Sequence, residues 1–226
     1  MRVHVAFTPA EEGSAPIGIV VDVVRATSTI AQALASGYER VLCCREIDEA
    51  RALRAELGDA AVVGGERNAV VVDGFDVGAS PREFAQGARA QTLILTTTNG
   101  TASILTAAAR CQTVLLGSLL NLTAVSSFVD DDVAIFCAGF KGTFALDDAY
   151  CAGRIVARIG NMSKTDAAVA AELIARAYPD PRDGLNARTY GPPGLEADIE
   201  FCARVDALDV VPRFTRMVGP AAEILA

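Results

Sequence analysis

The chain of 226 residues contains one histidine, no tryptophan and only two lysines, Lys141 and Lys164, among its 20 basic residues. A Ser-His-Asp triad, a histidine-built zinc site and a phosphohistidine mechanism would all have to rest on His4. That residue lies in the alternating start Arg2-Val3-His4-Val5-Ala6-Phe7, which reads as a strand with His4 toward solvent. No apolar run reaches the ~20 residues of a spanning helix, because Asp22, Arg25, Glu39 and Arg40 interrupt the most hydrophobic early stretch. Neither G-x-x-x-x-G-K-[ST] nor G-x-G-x-x-G occurs, which excludes the P-loop and the common dinucleotide fingerprint. The six cysteines form no C-x-x-C pair, and six residues after each stand Glu49, Ala50, Gly117, Thr143, Ala157 and Leu208, none of them the arginine a cysteine phosphatase needs. Basic charge is scarce as well. With 28 acidic residues against 20 basic, a net charge of -8 and a pI near 4.7, nucleic acid and anionic membrane are excluded as bulk partners.

What is present is apolar surface, at 51% of residues and a mean hydropathy of +0.32, enough for one α/β domain over 1–226. It also leaves room for a homodimer interface. Cysteines set in apolar runs, behind a Met-Arg-Val-His start with no secretory pattern, read as reduced thiols of a cytoplasmic protein. Strand-type runs at 17–23, 40–44 and 60–63 alternate with helix-type segments at 29–36 and 47–57. The order recurs with strands at 92–96, 113–116 and 133–137 and helices at 102–109 and 120–128. This pattern implies a three-layer α/β/α fold on a largely parallel or mixed sheet, with two similar intertwined halves at 17–66 and 91–139 as one form of it. Tandem α/β units also resemble one another without common ancestry. A C-terminal helical extension over 146–226 follows, with helices expected at 146–159, 164–178 and 195–205, an irregular stretch at 179–194, and a last strand at Val210-Val211.

Two strand-to-helix turns carry the chemistry. Asp22, at the end of a buried strand, is costly to bury unless paired, hydrogen-bonded or metal-bound. Arg25, Thr27 and Ser28 follow it at a helix start, a natural phosphate seat. The structural alternative is an Asp22-Arg25 pair with Ser28 as the cap. Thr98-Asn99-Gly100 forms a second such turn, where Asn-Gly frees backbone amides or simply caps a helix. Strand ends gather Asp22, Glu66, Thr98 and Cys137 toward one sheet edge, where such folds bind ligands. Asp147 and Asp148 complement a helix dipole, or join Asp22, Glu66 and Asp76 around a hard cation.

At these residues the sequence resembles the 2-phosphosulfolactate phosphatase family. The matching pieces are Val21-Asp22-Val23-Val24-Arg25-Ala26-Thr27-Ser28-Thr29, Gly64-Gly65-Glu66-Arg67-Asn68, Gly74-Phe75-Asp76-Val77-Gly78, Thr97-Thr98-Asn99-Gly100-Thr101, Asp147-Asp148 with Cys151-Ala152-Gly153, and Asp198-Ile199 with Phe201-Cys202. Asp147 stands where Glu is usual, Ala79 where Asn is usual, and Ala69 where Gly is usual. The resemblance implies Mg²⁺-dependent hydrolysis of a small anionic phosphate monoester, (2R)-phospho-3-sulfolactate, in coenzyme M biosynthesis. Under it, Asp22, Arg25 and Asp148 are the expected catalytic groups. Thr27, Ser28, Arg67, Thr98, Asn99 and Gly100 bind substrate, and Asp22, Glu66, Asp76 and Asp147 hold Mg²⁺. Either a metal-bound water or Asp22 itself attacks the phosphoryl group.

Overall fold

Short apolar runs punctuated by glycines and polar turns fold as a sheet with crossover helices. The computed structural model describes residues 1–189 and 191–226. The first half comprises β1 (Arg2–Ala6), β2 (Ala15–Val21), α1 (Ala26–Ala35), β3 (Arg40–Cys43), α2 (Ile47–Leu57), β4 (Ala61–Arg67), β5 (Val70–Val71) and α3 (Pro81–Phe84). It continues through β6 (Thr92–Thr96), α4 (Gly100–Ala108), β7 (Cys111–Gly117), α5 (Leu122–Ser127), β8 (Val133–Cys137), α6 (Leu146–Ile159), β9 (Ser163–Lys164) and α7 (Asp166–Ala177). The chain then forms α8 (Pro181–Asn186), α9 (Glu196–Cys202), β10 (Arg213–Val218) and β11 (Ala221–Leu225).

All the strands described join one mixed sheet in the order β5-β4-β6-β3-β11-β10-β7-β2-β8-β1-β9. The expected α/β class holds, and the intertwining is literal. β2 lies parallel between β7 and β8, while β6 lies parallel between β3 and β4, so each half supplies the middle strand of the other's trio. Helix α1 carries the chain from β2 across to β3, and α4 carries it from β6 to β7.

The C-terminal reading needs correction. Residues 210 and 211 are not strand, and the chain beyond them is not helical: β10 and β11 form an antiparallel hairpin wedged between the two trios. β10 shows almost no alternation of buried and exposed residues, so no period-2 signal marks it. Because β11 is antiparallel to β3 and to β10, and β10 to β7, the trios run in opposite senses. Their carboxyl ends therefore do not share one edge of a flat sheet, as the sequence had suggested. The β10–β7 ladder thins to the single pair Arg213↔Leu115. The turns after β2 and β6 nevertheless meet, Gly100 lying against Ala26.

The larger core packs β1, β2, β7 and β8 against α5, α6 and α7, with Tyr150 fully buried. Helices α6 and α7 approach so closely that a Cβ on Gly153 would fall 1.9 Å from the Ala171 carbonyl oxygen. That approach is the physical reason for glycine in the Cys151-Ala152-Gly153 piece. A second core lies under α1 and α4 around Ile30, Leu34 and Ile104, capped by Ala222 and Ile224 of the hairpin.

Candidate active site

Every residue from Ile17 to Val21 at the end of β2 is buried, so Asp22 enters the fold with its backbone anchored and little water around it. Thr27 closes the turn: its amide and its Oγ1 both donate to the Asp22 carbonyl, at 2.9 Å each. Ser28 Oγ donates to the Val23 carbonyl at 2.7 Å. The Ala26 amide donates to Asp22 Oδ1 at 3.2 Å, while Oδ2 accepts no hydrogen bond from a described residue. Burial, aided by the negative charges of Glu66 and Asp147, pushes the Asp22 carboxyl up to about 7, against the opposing Ala26 amide.

The β6–α4 turn abuts this one. A Cβ on Gly100 would lie 2.4 Å from Ala26 Cβ and 2.9 Å from Asp22 Oδ2, so only glycine lets the two helix starts come together. The Asn99 side chain does not cap α4, and the first-turn amides of a helix lack partners within it. Thr97 Oγ1 is buried with no hydrogen-bond partner among the described residues. Glu66, on β4, accepts from the Thr98 amide at 2.8 Å and Oγ1 at 2.9 Å, and from the Ala69 amide at 2.6 Å.

Helix α6 brings two more carboxylates. Asp148 staples the loops after β2 and β8, accepting from the Val23 and Gly139 amides at 2.9 Å each. Burial, then the charges of Asp147 and Asp22, holds its carboxyl well above the usual range. Asp147 is raised too, through burial, with the Arg188 guanidinium 4.0 Å from Oδ2 opposing.

Asp22, Arg25, Glu66, Thr98, Asn99, Asp147 and Asp148 thus line one cavity of about 310 Å³, with Gly100 directly behind Asp22. The remaining expected residues lie outside its lining. Thr27 and Ser28 spend their hydroxyls on backbone carbonyls. Arg67 is held by the Glu66 carbonyl, the Arg45 carbonyl and Thr96 Oγ1. Asp76 accepts from the Val63 amide at 2.9 Å and faces Arg54, which fastens its segment alongside β4, away from Asp22. Arg25 pairs with Asp198 at 2.7 Å instead of with Asp22, and Ser80 Oγ donates to the other Asp198 oxygen at 2.5 Å. Sequence reasoning missed Thr97, Asn68 and Arg188 in the lining. For Arg188 the only signal was an irregular stretch rich in Pro, Gly and Arg.

Among the described residues, no three His, Cys, Asp or Glu side chains are grouped closely enough to cage a metal. A hard cation needs less, since Mg²⁺ binds through one or two carboxylates, waters and a substrate phosphate. The charge of Asp147 raises the cost of a charge on Asp22 in the same cavity, and Asp22 Oδ2 has no hydrogen-bond donor among the described residues, so the donor set suits such an ion.

A family model described as 2-phosphosulpholactate phosphatase matches residues 5–217. A protein of Carboxydothermus hydrogenoformans named probable 2-phosphosulfolactate phosphatase is 36% identical, over 94% of this chain and 92% of its own length. Relatives of the same name from Thermus thermophilus, 36% identical with 98% of both chains covered, and Clostridium acetobutylicum, 35% identical over 87% and 88%, align in the same way. These end-to-end matches establish that the chain belongs to the 2-phosphosulfolactate phosphatase family.

Proposed function

We propose that the cavity at Asp22 hydrolyses the phosphate monoester of a small, highly anionic hydroxy acid, (2R)-phospho-3-sulfolactate, to sulfolactate and phosphate. The observation that carries this reading is the meeting of two helix starts at a buried carboxylate with no ion-pair partner among the described residues. Amides at the start of α4 and the hydroxyl of Thr97 offer donors to phosphoryl oxygens. Asp22, poised near neutrality, either takes a proton from the attacking water or attacks phosphorus itself.

Asp22 and Asp147 would hold Mg²⁺, which when bound neutralises phosphoryl charge and makes a nearby water a better nucleophile. Asp148, with both oxygens on backbone amides, positions the turn that carries Asp22. Direct attack by water inverts configuration at phosphorus. An aspartyl-phosphate retains it, because Asp22 Oδ2 first displaces the alkoxide and water then displaces Asp22. A chiral phosphate ester separates the two.

Ala79 lines the cavity, where the family usually has asparagine. That favours, as a second reading, a different phosphorylated 2-hydroxy acid on the same machinery. Buried free thiols suit a cytoplasmic setting, in coenzyme M biosynthesis where the host makes that cofactor. The test is a phosphate-release screen over phosphorylated 2-hydroxy acids with Mg²⁺. We expect release by the native chain and a loss of at least about 10³-fold in Asp22→Asn. Absence of release from every ester overturns the proposal.

A further inference from the structure

We infer that Arg188 binds the substrate's second acid group, the carboxylate or sulfonate that stays on the product, and so selects phosphate esters that carry one. The inference rests on the function proposed above. Four carboxylates, Asp22, Glu66, Asp147 and Asp148, line the cavity, and the only cationic side chains among the described lining residues are Arg25 and Arg188. Arg25 is already committed. It and Asp198 form a close pair with side chains 11% and 6% exposed, and turning it to a ligand would strand a buried carboxylate. Arg67, the arginine of the Glu66-Arg67-Asn68 piece, is bound to three oxygens outside the cavity.

Arg188 differs from both. Its nearest carboxylate, Asp147 Oδ2, is 4.0 Å away, too far for a hydrogen bond, so that pairing leaves the guanidinium's forked donors available. A planar fork of this kind matches a carboxylate or sulfonate through two parallel hydrogen bonds. Gly191 has a φ of +147°, and a Cβ there would come within 3.2 Å of Arg188 Nη1, so the backbone backs the guanidinium closely. Placement completes the case: Arg188 stands beside Asp147, whereas the open start of α4 stands beside Asp22. A ligand with phosphate at one end and a second acid at the other meets a positive group at each.

The experiment compares 2-phospholactate with isopropyl phosphate, in which a methyl replaces the carboxylate, for the native chain, Arg188→Gln and Arg188→Lys. With 2-phospholactate, Arg188→Gln should lose about 100-fold in kcat/KM, mostly through KM, and Arg188→Lys should recover part of it. With isopropyl phosphate, both variants should stay within about threefold of the native chain. Equal loss on both esters, or no loss, overturns the inference. Calorimetric titration with inorganic phosphate and with 3-sulfolactate provides a readout independent of turnover. Arg188→Gln should weaken sulfolactate binding and leave phosphate binding within about twofold. Failure of the native chain to bind sulfolactate, or equal weakening of both ligands, also overturns it. If no ester is hydrolysed, the phosphatase reading fails while this titration still decides the role of Arg188.

Discussion

Asp22 is held where its charge is expensive, and the expense has a sign. Its folded carboxyl titrates at about 7, compared with about 4 for an ordinary aspartate, so the native state binds the proton more tightly than the unfolded chain does. The stabilising contribution of that proton is complete below pH ~4 and is lost as pH rises through about 7. Asparagine keeps an acceptor for the Ala26 amide without the charge. Asp22→Asn should therefore melt about 5 °C higher than the native chain at pH 8 without metal, and at the same temperature near pH 4. Thermal melts across pH check this, and an equal shift at both pH values would contradict it. At this scale the sequence was legible where chemistry and a strand end coincide, as at Asp22 and Glu66. It failed at Arg67 for a geometric reason: neighbours on a strand point to opposite faces, so a Glu66 facing the cavity sends Arg67 away.

Among the elements, α2, α6, β6 and β8 fall where periodicity and glycine stops placed them, because each is bounded by strong turn residues and packs on one face. Helix α8 was read as irregular, since its apolar contact comes down to Leu185 and its Gly184 under Tyr150. The junction of α6 with α7 offers a clean test. Gly153→Ala must separate the helices or shift Ala171, at about 2–3 kcal/mol of stability measured by chemical denaturation. KM should be unchanged, because Gly153 lies outside the cavity lining. A stability loss under about 0.5 kcal/mol would show that the helices can part freely.

In the whole molecule, the hairpin of β10 and β11 is the seam between two trios that each borrow their central strand from the other. Its buried Glu223, paired with Arg40 and Arg216, ties the seam to β3. Removing residues 213–226 should leave β3 paired only with β6 and β7 only with β2, splitting the sheet between the trios and giving a chain with no cooperative melt by circular dichroism; a retained sharp transition would refute this. That strand exchange also governs how the molecule comes into being. Neither trio can be completed from contiguous chain, so contacts of long sequence separation dominate and folding is slow. During synthesis, β3 has no neighbour on its hairpin side until residues 221–225 emerge, and the nascent chain carries unpaired strand edges for most of its translation.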